Sequence, residues 1–216
     1  MQLTCNYTLS TIQTGSGCPR SVESPARDFL RYGKIFKYLK DKYAISKFFY
    51  FGGVETYKYN HDCLKEDSID IKKLKNYLLK LLKNEGKKFS DAQLILFDRH
   101  LQRVKFYLKL QEFGYLLFLK PVKAYDQEDG TTKKKANCDV DMAFWLMKEK
   151  DEYDRVIILS GDGDFLPVLK YLQNECKKEV FVLARGRRTA KEIRRFAGSN
   201  FKDFEYLKYL LGMEKK

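Results

Sequence analysis

Two short acidic segments hold the residues best suited to chemistry. Ser160-Gly161-Asp162-Gly163-Asp164-Phe165 follows directly on the apolar run Val156–Leu159, and Lys135-Ala136-Asn137-Cys138-Asp139-Val140-Asp141 precedes it. Carboxylates brought together repel one another and favour a hard divalent cation, Mg²⁺ or Mn²⁺, as neutralising partner. Such an ion activates water and stabilises charge on a phosphodiester. Spacing alone is equally satisfied by a plain turn at Asp162-Gly163-Asp164 and a helix cap at Asp139. Other sites are excluded. Counting from Asp162, the twelfth position of an EF-hand loop is Gln173 rather than glutamate. Ile158 stands where a nucleophile elbow around Ser160 would need glycine. The chain has no P-loop and no HExxH.

A basic run lies downstream. Arg185, Arg187, Arg188, Lys191, Arg194 and Arg195 stand against the single acid Glu192, just after the apolar run Val180–Leu183. Arginine forks contact phosphates bidentately and position a nucleic-acid strand. A charge run is ordinarily a solvated helix face, but its expected place beside Asp162 favours phosphate contact. Lys133-Lys134-Lys135 reads equally as a second patch or a solvated loop. The aromatics at 48–51 suit a core strand, and Tyr57 and Tyr59 are the better placed to stack on bases. His61-Asp62-Cys63 lacks a second ligand pair at metal-binding spacing.

The elements that must position these residues are legible from periodicity. Ser46–Phe51, closed by Gly52-Gly53, and Tyr115–Leu119 read as strands. Val156–Leu159 and Val180–Leu183 are continuous apolar runs, as in a sheet covered on both faces. Helical spacing recurs over 29–43, Ile71–Leu82, Phe97–Phe113 (stopped by Gly114), Asp139–Lys150 and Phe165–Glu175, with short helices near Ile193–Phe196 and Phe204–Leu211. Asp126–Asn137 reads as a charged, turn-rich loop. Strands alternating with helices predict a parallel α/β sheet, and such sheets bind ligands beyond the carboxyl ends of their strands. Residues 1–27 are an atypical leader, expected to be poorly ordered or to form a weak edge strand around Leu3–Leu9. Residues 28–216 are expected to form one domain with a helical insertion near 58–97.

Composition sets the outer bounds. The 216 residues are 44% hydrophobic and 15% aromatic, which excludes a mainly disordered chain. The net charge of +13 draws polyanions. It is unevenly spread: residues 121–216 carry 20 basic and 17 acidic side chains, so most of the excess lies in 1–120. The five cysteines form no CxxC pair, which argues against a zinc ribbon or a thioredoxin motif and for reduced thiols inside a cell. With no signal-peptide pattern and no long apolar run, the expectation is a soluble cytoplasmic protein with no membrane partner.

The stretch from Lys135 to Leu211 resembles the NYN domain, a branch of the PIN-like nuclease superfamily that includes LabA-like bacterial proteins. The resemblance rests on the two acidic segments and on Val180-Phe181-Val182-Leu183, and Lys34–Gly53 is similar to the family's first helix and second strand. It implies a PIN-like doubly wound parallel sheet flanked by helices. It also implies a metal-dependent ribonuclease that cleaves RNA phosphodiester bonds, with Asp139, Asp162 and Asp164 as catalytic ligands of Mg²⁺ or Mn²⁺ and with Asn137 and Ser160 in support. RNA is the partner it implies, held by the arginine-rich run. Family members begin with an apolar strand ending in an aspartate that is itself a ligand. Residues 1–33 hold no match to that pattern, and Asp28 is their only aspartate. The usual first strand is therefore missing, or replaced near Leu3–Leu9 without its carboxylate. The alternative function is a catalytically impaired RNA-binding or regulatory NYN module.

Overall fold

The structure, a computed structural model, describes residues 6–11, 25–126 and 132–211. In chain order the elements are β1 (Asn6–Thr11), α1 (Pro25–Tyr43), β2 (Ile45–Val54), α2 (Ile71–Glu85), α3 (Asp91–Glu112), β3 (Tyr115–Pro121), β4 (Lys123–Asp126) and β5 (Thr132–Lys135). There follow α4 (Asp139–Lys148), β6 (Arg155–Ile158), α5 (Leu166–Asn174), β7 (Glu179–Ala184), α6 (Lys191–Ala197), β8 (Phe201–Asp203) and α7 (Phe204–Leu210). The main sheet has the order β3-β2-β1-β6-β7-β8, and β4 and β5 form a separate antiparallel pair. The chain divides into two compact units: Met1–Ile12, Gly33–Phe51 and Cys138–Lys216 in one, Gln13–Tyr32 and Gly52–Asn137 in the other.

In the first unit the ladders β2–β1, β1–β6, β6–β7 and β7–β8 are all parallel. In β6 and β7 the apolar stretches are covered: Val156, Ile157 and Ile158 are fully buried, as is Val182. The chain leaves β1 through α1 to reach β2 at one side, and later steps β6–α5–β7–α6–β8 to the other. Right-handed crossovers therefore put α1 on the face opposite α5 and α6. Ile35 and Leu39 fill the core from α1, Leu169 and Leu172 from α5, Met142 and Leu146 from α4. The winding direction reverses between β1 and β6, and at such a switch point the loops at the carboxyl ends splay apart to leave a crevice. This is the parallel α/β class predicted from the alternation of elements, in the doubly wound form that the resemblance implies.

The short strand expected around Leu3–Leu9 appears as Asn6–Thr11, but as an interior strand rather than an edge. Tyr7 pairs with Lys47 on one side and with Val156 on the other. Its composition is polar (Asn-Tyr-Thr-Leu-Ser-Thr), so side-chain pattern alone does not reveal that two apolar neighbours satisfy its backbone on both edges. Asn6–Thr11 thus fills the place between β2 and β6 in the sheet.

In the second unit, α2 and α3 pack together through Leu74, Leu78, Val104 and Tyr107, all buried. Both helices have explicit starts. Asp70 accepts from the N–H groups of Lys72 and Lys73 at 2.9 and 3.1 Å. Ser90 and Gln93 form a reciprocal capping box, so α3 begins six residues before the expected Phe97. Gly114 follows α3 at φ 97°, the left-handed C-terminal position that glycine favours. Tyr107 Oη donates to the Gly53 carbonyl at 2.8 Å, tying α3 to the end of β2. Residues expected as a loop contain β5, where Lys135 pairs with Lys123. Backbone pairing satisfies this polar strand, and hydrophobic patterning cannot detect it. Among the described residues no helix is long and apolar enough to cross a membrane.

Candidate functional site

The loop after β6 is built by its own side chains. Ile158 ends the strand; Ser160, buried to 9% exposure, turns its Oγ back to accept the Asp162 N–H at 3.3 Å. Asp162 Oδ1 accepts the Asp164 N–H at 3.0 Å and caps a single 3₁₀ turn, Gly163–Phe165. Phe165 anchors that turn in the core, and α5 starts at once with Pro167 in its first turn, where the missing N–H costs nothing. Asp164 is exposed and Asp162 half-buried.

Asp139 is the first residue of α4, with Asp141 in the same turn, where carboxylates suit the helix macrodipole. Because α4 leads back into the parallel strand β6, its start lies at the carboxyl rim that also holds the Asp162 loop. Asn137 is exposed just ahead of it. The three aspartates share this rim. Among the described residues, however, no three His, Cys, Asp or Glu side chains come together as a ligand set for a metal ion. One oxygen of Asp162 is committed to its own turn. The neighbouring strand β1 ends in Ser10-Thr11, and the first acid of the chain is Glu23. The residues present therefore do not assemble the donor set that Mg²⁺ or Mn²⁺ would require in this geometry.

The structure brings the basic run directly against the acidic loop. The Ala190 N–H donates to the Gly161 carbonyl at 2.9 Å. A Cβ on Gly161 would stand 2.7 Å from Thr189 Oγ1 and 2.9 Å from Thr189 Cα, so only glycine permits this approach. Thr189 is itself buried and donates to the Arg185 carbonyl at 2.7 Å, closing the Arg185–Thr189 turn. Arg187 and Arg188 are exposed on that turn, and Arg185 pairs with Glu205 at 3.6 Å. Lys191, Arg194 and Arg195 are exposed on α6 and line an open depression of about 440 Å³. Every member of the run is thus displayed to solvent, with its guanidinium or ammonium group free of burial cost.

Two residues lay outside the expected site. Thr189 holds the basic and acidic loops together, with no signal beyond its place after an arginine pair. Glu192, the lone acid of the basic run, sits against the acidic loop: a Cβ on Gly163 would fall 2.6 Å from Glu192 Oε1. Its signal was the exception it made in its own run.

Comparison with known proteins adds the following. A family model described as NYN domain matches residues 61–204. The matched range contains both acidic segments, the basic run and the helical pair α2–α3, and it begins after β1, α1 and β2. Among curated proteins no match is found. A solved structure of a protein of unknown function from Vibrio parahaemolyticus is similar at 17% identity and a TM-score of 0.48, over 94% of this chain and 96% of that one. The D15 flap endonuclease of bacteriophage T5, in a complex with DNA and metal ions, is similar at 13% identity and a TM-score of 0.44. That similarity covers 90% of this chain and 60% of the phage chain.

Proposed function

The chain belongs to the NYN domain family, within the PIN-like nuclease superfamily, and on that premise we propose that it is an RNA-binding module on a nuclease fold. RNA phosphates are held by Arg187 and Arg188 on their turn and by Lys191, Arg194 and Arg195 on α6. The observation that carries this reading is the contact of Gly161 with Thr189 and Ala190, which sets exposed arginines beside the switch-point crevice. Exposed guanidinium groups bind phosphate with two parallel hydrogen bonds, and five such cations in one short stretch suit a polyanion rather than a single small anion. RNA rather than DNA is the choice the family resemblance implies. The acids at the rim then shape the site by repulsion: they keep phosphates on the arginine side and leave bases or sugars toward Asp162 and Asp164.

A second reading, phosphodiester cleavage, is favoured by one feature: Asp139, Asp162 and Asp164 occupy the same rim, with Glu192 beside them. The absence of a carboxylate at the end of β1 places it second.

A single experiment separates the two. Labelled single-stranded RNA is titrated with the purified chain over a range of salt, with Mn²⁺ or EDTA, and the RNA is recovered and sized. The binding reading expects intact RNA in both, and affinity that falls with a slope of about −0.7 in log K per log salt for each phosphate contacted. Arg187→Gln with Arg188→Gln would lower affinity about tenfold. Mn²⁺-dependent shortening of the RNA that vanishes in Asp162→Asn would replace this reading with the nuclease one.

A further inference from the structure

A second basic groove lies in the first unit between α1 and the end of α7, the helix whose first turn pairs with Arg185. Its volume is about 560 Å³, and its walls are the exposed stripe of α1 and the end of α7. Lys34, Lys37, Tyr38, Asp41 and Lys42 stand at helical i, i+3, i+4, i+7 and i+8 positions, so they form one stripe, with Leu210 opposite. Three ammonium groups face one carboxylate there. A hydrogen bond joins the groove's two walls. Lys34 Nζ donates to the Leu211 carbonyl at 2.9 Å, which ties α1 to the end of α7. Lys42 Nζ donates to Tyr38 Oη at 2.9 Å and lies 5.2 Å above the Tyr38 ring. That hydrogen bond raises the Lys42 pKa above the ordinary lysine value, so the cation persists through the neutral range.

Aromatic surface adjoins the cations. Tyr206 and Tyr209 on α7 are 62% and 70% exposed, unusual for large rings in a helix that also buries Leu207. With Leu210 they occupy i, i+3 and i+4 positions, and so share one face of α7. Ammonium groups spaced along a groove beside exposed rings are the chemistry of single-stranded nucleic-acid binding: the lysines follow phosphates and the rings stack on bases. A lipid surface would call for a broad apolar face, and here Leu210, 49% exposed, is flanked by lysines and by tyrosines with polar tips.

We infer that the α1–α7 groove is a second single-stranded RNA subsite, holding phosphates with Lys34, Lys37 and Lys42 and stacking bases on Tyr206 and Tyr209. It rests on the RNA-binding reading above and adds to it a path: one strand engaged by the arginine loop at the end of β7 and by this groove along α1 and α7. The subsite carries part of the affinity only for RNA long enough to reach it.

The test uses the full chain and fluorescence anisotropy with a short and a long single-stranded RNA of the same composition. The variants are Lys37→Glu with Lys42→Glu, Tyr209→Ala, and Arg187→Gln with Arg188→Gln. The positions altered are exposed, and thermal melting checks that each variant folds. The expected result for the lysine pair is about a tenfold loss of affinity for the long RNA, with the salt slope reduced by about 1.4, two phosphates at ~0.7 each. Tyr209→Ala should weaken the long RNA several-fold with the salt slope unchanged. An unchanged affinity for long RNA in both groove variants, while the arginine pair still weakens it, overturns the subsite and leaves the arginine-loop reading standing. If the wild type binds no RNA, both readings fall. Binding of phosphatidylserine vesicles but not RNA, lost in the lysine pair, would assign the groove to a membrane surface and overturn the proposal.

Discussion

β1 and β6 are neighbouring parallel strands in the middle of one sheet, paired residue for residue from Tyr7 with Val156 to Leu9 with Ile158. They end at the same switch-point crevice and differ almost completely in chemistry. β6 is a buried apolar run that opens into Ser160-Gly161-Asp162-Gly163-Asp164. β1 is mostly polar, with Leu9 its one aliphatic residue, and ends in Ser10-Thr11. A place in the sheet is fixed by backbone pairing and by the apolar strands on either side. What can be done at that place depends on the few residues where the strand exits. The two strands share the first property, and only β6 brings the second.

The sharpest way to break this comparison is to cut into the strands themselves. Ile157 is fully buried, and Ile157→Ala is expected to cost about 2–5 kcal/mol in chemical denaturation, since the covered faces cannot collapse around the void. Thr8 is its partner in register on β1, and Thr8→Ala should cost clearly less. Equal losses would mean that β1 supports the core as fully as β6. Next in size is Gly161→Ala. The new Cβ meets the Thr189 backbone, so a loss of about 1–3 kcal/mol is expected, together with weaker RNA binding as the basic and acidic loops part.

A third experiment supplies what β1 lacks. Ser10→Asp and Thr11→Asp each put a carboxylate at the end of β1. One of the two should raise Mn²⁺ affinity about tenfold, or about 1.4 kcal/mol, by isothermal titration. If neither variant binds Mn²⁺ more tightly than the wild type, the missing β1 acid is not what limits the site. The smallest effect belongs to Asp162→Asn. The side-chain carbonyl of asparagine still accepts the Asp164 N–H, so stability should change by less than about 0.5 kcal/mol. RNA affinity should rise slightly as one negative charge leaves the rim. A large loss of stability would show that the charge of Asp162, not only its turn geometry, holds the loop.

Much of the architecture was readable residue by residue. The uniform apolar runs of β6 and β7 announced strands covered on both faces, and the helical spacings gave α1, α2, α4 and α5. Phe165 after the paired Gly-Asp steps marked a turn entering a helix. What failed to read was structure held by backbone. β5 is a polar strand that read as a loop, and β1 read as a weak edge strand rather than the interior strand it is. The start of α3 was hidden because its capping box lies ahead of the apolar repeat. At the site, the order of aspartates and arginines along the chain was plain, but their grouping was not. Glu192 looked like an interruption in a basic run until the fold set it against Gly163.

The sequence by itself determined the parallel α/β class and the identity of every charged group at the rim, because these depend on residue type and local period; the NYN family was read from resemblance and is shown by the family match over residues 61–204. Tertiary structure decided which of those groups meet. It pressed Gly161 against Thr189 and put arginines beside the acidic loop. It committed one Asp162 oxygen to a turn, and it set a strand without a carboxylate at the centre of the sheet. Contacts between residues distant in the chain depend on register, crossover hand and the room left by a missing Cβ, and none of these is a property of a single segment.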